Sequence, residues 1–143
     1  MKPARVYRWV EHTAELELEL EAVTEREVLA DALSAIGELL EDEEQSPGCN
    51  AAPAPLERRA LHAGARDRPA LLAAWLEELL FLAESEGFIP LQIADLSIDA
   101  DCLHATVVGR MGAPRPLVKA VTYHRLEFEP TDGGYRARVV FDV

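Results

Sequence analysis

Positive charge is in short supply in this sequence. Its 143 residues carry 26 aspartates and glutamates against 14 lysines and arginines, a net charge of −12 at pH 7. That balance opposes direct, tight binding to nucleic acid, where neutralising phosphates dominates affinity. Cysteine is nearly absent too. Cys49 and Cys102 lie far apart and form no C-x-x-C pair, which argues against a zinc site or a redox motif. Free, inert thiols in a reducing compartment fit the two residues, and a disulfide between them stays open. No stretch approaches the roughly 20 apolar residues of a membrane span. The opening MKPARVYRWVEH lacks the apolar core of a signal peptide. A cytoplasmic protein without a membrane partner is the expectation.

Signatures of self-sufficient catalysis are missing as well. There is no glycine-rich phosphate loop, no G-x-S-x-G, no H-E-x-x-H and no EF-hand loop. Ser34, Ser46, Ser85 and Ser97 stand in no recognisable nucleophile context. A hydrolase or kinase acting alone has little support.

What is present can form a core. Apolar residues make up 49% of the chain, and the length suits one domain spanning residues 1–143. In WVEHTAELELELEAVT, residues 9–24, Leu16, Leu18 and Leu20 take one parity and Glu15, Glu17, Glu19 and Glu21 the other. A period of two puts all the leucines on one side only in a strand, although Leu and Glu favour helices. Val6–Val10 reads as a first strand and Glu15–Ala22 as the second, with a bend at EHTA between them. Thr24 and Glu27 have capping-box spacing ahead of a helix reaching about Glu41. The acids that follow oppose its dipole, so fraying is expected there. Ala51–Ala63, with Pro53 and Pro55, reads as an edge strand. Asp67 suits the N-cap of a second helix, Arg68–Glu86, with Pro69 in its first turn and Gly87 as its stop. From Phe88 the pattern is strand-like. Leu91–Asp99 and Leu103–Gly109 flank the turn DAD, and Val118–Glu129 and Tyr135–Val143 flank TDGG. The order ββαβαββββ predicts an α+β fold, two helices packed on an antiparallel or mixed sheet.

Charge is uneven along the chain. Residues 1–46 hold 13 acidic and 4 basic side chains, whereas residues 109–143 hold 4 acidic and 6 basic. An acidic body suits docking on the basic groove of a nucleic-acid enzyme, and it equally serves solubility. At the other end, the side chain of Asp142 stands beside the α-carboxylate of Val143. Two carboxylates so close repel unless a cation or protons intervene. If the last strand pairs near EHTAE, Glu15 and His12 join them. Three carboxyl groups suit a hard divalent ion, Ca²⁺, Mg²⁺ or Mn²⁺. A frayed terminus and solvated strand charges fit the same residues.

Three segments in order, EHTAE at 11–15, LLAAWLEELLFLAESEGF at 71–88 and VKAVTYHRLEFEPTDGGYRARVVFDV at 118–143, resemble the archease family over nearly the whole chain. The resemblance implies a small α+β protein that is not itself an enzyme but activates the GTP-dependent RtcB-type RNA-splicing ligase in tRNA processing. It would promote guanylylation and multiple turnover of that ligase. A chaperone or specificity modulator of tRNA-modifying enzymes, such as tRNA methyltransferases, is the alternative. The resemblance further implies a divalent metal, Ca²⁺ in the first place, or Mg²⁺ or Mn²⁺, held by Glu15, Asp142 and Val143. His12, Lys119, Tyr123 and His124 are additional site or partner-contact candidates. Glu17, Glu19 and Glu21 then remain solvated charges. Two departures stand out. The family's usual residue at position 15 is Asp, and Glu77 stands where Asn is common.

Overall fold

A computed structural model describes residues 7–12, 14–41, 55–114, 118 and 120–143. Val6, Thr13, Cys49, Pro53, Lys119 and the acidic run after Glu41, with the expectations placed on them, lie outside the described residues. The element order is β1 (Tyr7–His12), β2 (Glu15–Ala22), α1 (Glu25–Leu40), β3 (Leu56–Gly64), α2 (Arg68–Glu86), β4 (Phe88–Asp99), β5 (Cys102–Met111), β6 (Ala120–Thr131) and β7 (Gly134–Asp142). This is the ββαβαββββ order that the periodicity predicts.

The strands form two sheets rather than one, and every pairing is antiparallel. One sheet has the order β1-β2-β7-β6 and the other β3-β5-β4. Leu18 and Leu20 of β2 face inward with Ala137, Val139 and Phe141 of β7. Both helices contact strands of both sheets, and one apolar cluster joins them all. Trp75 of α2 is fully buried at its centre, and its indole N–H donates to the Leu29 carbonyl at 3.0 Å. Its partner satisfies the one polar atom that burying a Trp strands in the core.

The helix ends follow local chemistry. The Thr24 hydroxyl accepts from the Glu27 amide and the Asp67 carboxylate from the Ala70 amide, each satisfying an orphan donor of the first turn. Gly87 closes α2 at φ 75°, the left-handed stop that glycine adopts without strain. β3 sits at a sheet edge, as expected of that segment, but its pairing begins at Leu56, after Pro55. Cys102 is a free, exposed thiol. No helix among the described residues is long and apolar enough to cross a membrane.

β6 departs most from a regular strand. Thr122 pairs with Val140 and Glu127 with Arg138, so Tyr123, His124, Arg125 and Leu126 stand against a single residue of β7. Arg125 takes the left-handed conformation, φ 56°. A bulge of this kind bends a strand and re-aims its side chains.

Candidate functional site

The outer face of the four-stranded sheet carries the site residues. Glu15 stands directly opposite His12 of β1 on one side and Asp142 of β7 on the other. Asp142 in turn pairs with Ala120 of β6. Directly opposed residues share a face, so His12, Glu15 and Asp142 form one row across three strands. The pairing that the sequence left conditional is therefore present.

Two backbone features fix the end of this row. Ala14, in the bend before Glu15, has φ 60°, a conformation that costs a non-glycine residue about 1–2 kcal/mol. Its carbonyl accepts the Val143 N–H at 3.3 Å. The last residue is thus tied to the bend, and its α-carbon is held near Glu15 and Asp142.

Charge pairing on this face is selective. Arg8 bonds Glu19 with both carboxylate oxygens, at 2.9 and 2.6 Å. Arg136 meets Glu129 at 2.6 Å, and Arg138 lies 3.3 Å from Glu127. The guanidinium of Arg8, chiefly through hydrogen bonding, holds the Glu19 carboxyl below its ordinary range. Glu15 and Asp142 have no ion pair among the described residues. They are half-buried and exposed, respectively, so their charge is open to a cation from outside.

Glu17 overturns one expectation. The alternation made it a solvated charge, yet it is only 4% exposed. Arg125, carried inward by the β6 bulge, places Nη2 2.7 Å from Glu17 Oε1. Arg138 Nε lies 3.7 Å from Oε2 and His12 Nε2 3.5 Å from Oε1. The contacts are coulombic more than directional, since Glu17 Oε1, Glu127 Oε2 and Arg138 Nε lack a well-aligned hydrogen bond. Period-two reasoning missed this because the bulge, a tertiary feature, covers the wet side of β2. Glu19 is partly buried as well as paired, and Glu21 is exposed.

The remaining candidates scatter. Tyr123 turns to α2, where its hydroxyl donates to Glu77 Oε1 at 3.2 Å. Burial first, and then the Glu77 charge, push the phenol's pKa up. The departure at Glu77 thus sits in a contact with the β6 bulge. His124 is exposed on that bulge, its backbone N–H donating to the Thr122 hydroxyl at 3.3 Å.

For a divalent ion the row offers two side-chain carboxylates, Glu15 and Asp142, without an ion pair among the described residues. This all-oxygen set suits a hard cation completed by water. Among the described residues, no three His, Cys, Asp or Glu side chains gather closely enough to hold an ion by themselves.

Comparison with known proteins gives a consistent result. Residues 7–143 match the model of the archease protein family. An archease from Methanosarcina mazei is 32% identical over 146 residues, covering 96% of this chain and 95% of its own. One from Methanothermobacter thermautotrophicus is 38% identical over 96 residues, 61% of this chain and 67% of its own. The solution structure of Methanobacterium thermoautotrophicum protein 1598 matches with a TM-score of 0.69 at 28% identity, over 97% of this chain and 99% of that one. The crystal structure of an archease and possible chaperone from Thermotoga maritima shares the fold, with a TM-score of 0.61 at 21% identity over 100% of this chain and 97% of that one.

Proposed function

The chain belongs to the archease family, and from that premise we propose that it is an accessory protein that activates an RtcB-type RNA-splicing ligase through a divalent ion. Glu15, Asp142 and the α-carboxylate of Val143 would hold the ion. The observation that carries this reading is the register of β2 with β7, which sets Glu15 opposite Asp142 with neither carboxylate paired to a cation among the described residues. A divalent ion held there would supply charge neutralisation for a phosphate-bearing substrate of the ligase.

The chain's own residues then do the positioning. Pairing of β2 with β7 holds the two side chains at one height on the sheet. The Ala14 carbonyl anchors Val143 and so limits the wandering of the terminal carboxylate. Acidic residues elsewhere on the surface favour approach to a basic active-site mouth. His12, beside Glu15, and His124, on the exposed bulge, are the contact residues proposed for the ligase; Lys119 is proposed with them from its place in the matched segment. Tyr123 more directly supports the bulge through Glu77.

RNA ligation by the cognate ligase at large substrate excess tests the reading. Intact protein is expected to give multiple turnovers, and Asp142→Ala or Glu15→Ala to abolish the stimulation while circular dichroism stays unchanged. Full stimulation by both variants sinks the metal reading.

The second reading is a chaperone or specificity modulator of tRNA-modifying enzymes such as methyltransferases. The description of the Thermotoga maritima relative as a possible chaperone supports it. Under that reading, aggregation of the client enzyme is suppressed equally by the intact chain and by the Glu15 and Asp142 variants.

A further inference from the structure

The outer face of the three-stranded sheet holds a second set of metal-ligating side chains, remote in the topology from the Glu15 row. His62 of β3 and His104 of β5 are direct cross-strand partners. Their rings lie 4.6 Å apart between centroids, tilted by 42°. Both are exposed, and neither has a hydrogen bond or ion pair among the described residues. We infer that His62 and His104 form a two-histidine clamp for a borderline divalent transition ion of the Zn²⁺, Ni²⁺ or Cu²⁺ class.

Three features favour this. The first is geometric. Zn–N distances of 2.0–2.1 Å at a tetrahedral angle set two ligand nitrogens about 3.3 Å apart. Exposed rings at the observed separation reach that spacing by side-chain rotation, without moving the backbone of two paired strands. The second is access. Along the same face the pair is flanked on β3 by Ala60 and Gly64, whose small size leaves the ring edges open. A Cβ on Gly64 would meet only the Asp101 carbonyl oxygen, at 3.7 Å. The third is charge. On β4 Ser97 lies opposite His104, and Asp95 and Asp99 occupy the same face on either side of it. Both acids stand at diagonal positions, roughly 7–8 Å by Cα in an antiparallel sheet. They lend a negative potential that favours a bound cation. No lysine or arginine occupies the adjacent register positions, Ala60, Gly64, Cys102, Thr106, Asp95, Ser97 and Asp99.

Imidazole nitrogen selects Zn²⁺, Ni²⁺ and Cu²⁺ over Ca²⁺ and Mg²⁺, which want oxygen. Two protein nitrogens leave the other coordination positions to water or to a donor from a partner, the open arrangement of a bridging site rather than a closed structural one. This site does not rest on the proposed activation of a ligase and stands or falls without it.

Zn²⁺ competition against a chromophoric chelator tests the clamp, in millimolar Ca²⁺ so that oxygen sites are already filled. The intact chain is expected to take up Zn²⁺ with shifts in the His62 and His104 imidazole NMR signals. His62→Gln and His104→Gln are each expected to weaken binding at least about tenfold, and the double variant little further, because one nitrogen alone no longer chelates. Both rings are exposed, so these variants keep the fold. Zn²⁺ affinity unchanged in both single variants overturns the clamp. So does binding that survives them but is lost with Cys102→Ser, which assigns the ion to the thiol instead.

Discussion

Glu15 and Glu17 sit two residues apart on one strand face and have opposite fates. Glu15, between His12 and Asp142 in the row, has no ion pair among the described residues. Glu17, under the β6 bulge, is enclosed by Arg125, Arg138 and His12. Deleting one partner of such a cluster leaves the others short of countercharge. Arg125 and Arg138 stay 41% and 32% exposed at their side chains, so water screens part of that loss. Glu17→Ala is expected to destabilise the fold by about 1–2 kcal/mol, and Glu21→Ala by less than about 0.5 kcal/mol. Urea unfolding of the two variants checks the contrast; equal midpoints would mean that the Arg125 contact contributes nothing. The sequence singles out Glu15 as a candidate through its place in the EHTAE segment. It cannot identify Glu17, because its pattern is the same as that of its solvated neighbours.

The helices were legible from the sequence because their causes are local. Thr24, Asp67 and Gly87 act within a turn of their own residues, and α2 begins and ends where they predict. The bulge of β6 was not legible, because it exists only relative to β7, as a break in register between Thr122 and Glu127. Two predictions belong to α1. Gly37→Ala should help an isolated helix by about 1 kcal/mol. Here a Cβ would stand 2.5 Å from the Pro90 carbonyl oxygen of β4. The helix must move off the strand, and a loss of about 1–3 kcal/mol is expected in thermal unfolding. Asp31 gives the opposite sign. Burial first, and then the charge of Glu27 one turn earlier, hold its carboxyl above the usual range. A raised acid pKa means that ionised Asp31 opposes the fold at neutral pH. The penalty fades as pH falls through the folded-state pKa and is gone below the unfolded one. Asp31→Asn is therefore expected to raise Tm at pH 7 by roughly 2 °C, with the difference closing in acid. A variant less stable than the parent at pH 7 would refute that assignment.

At the scale of the whole molecule, charge separates the two functional readings. The net charge of −12 produces a field that reaches a basic partner before any contact forms. On the four-stranded face, Arg8, Arg125, Arg136 and Arg138 are occupied by Glu19, Glu17, Glu129 and Glu127. Much of the local positive charge is thereby cancelled at short range, and the excess acid sets the long-range field. Association steered this way slows steeply as salt shortens the Debye length from about 10 Å at 0.1 M to about 3 Å at 1 M. Stopped-flow binding to the ligase is expected to lose about tenfold or more in association rate over that range. Glu15→Ala with Asp142→Ala removes only two of 26 acidic side chains. That double variant should therefore associate almost as fast as the parent while failing to stimulate ligation. A client held through exposed apolar surface behaves differently, because salt does not weaken apolar burial. An association rate indifferent to salt would move the argument to the chaperone reading, whatever the carboxylate variants do.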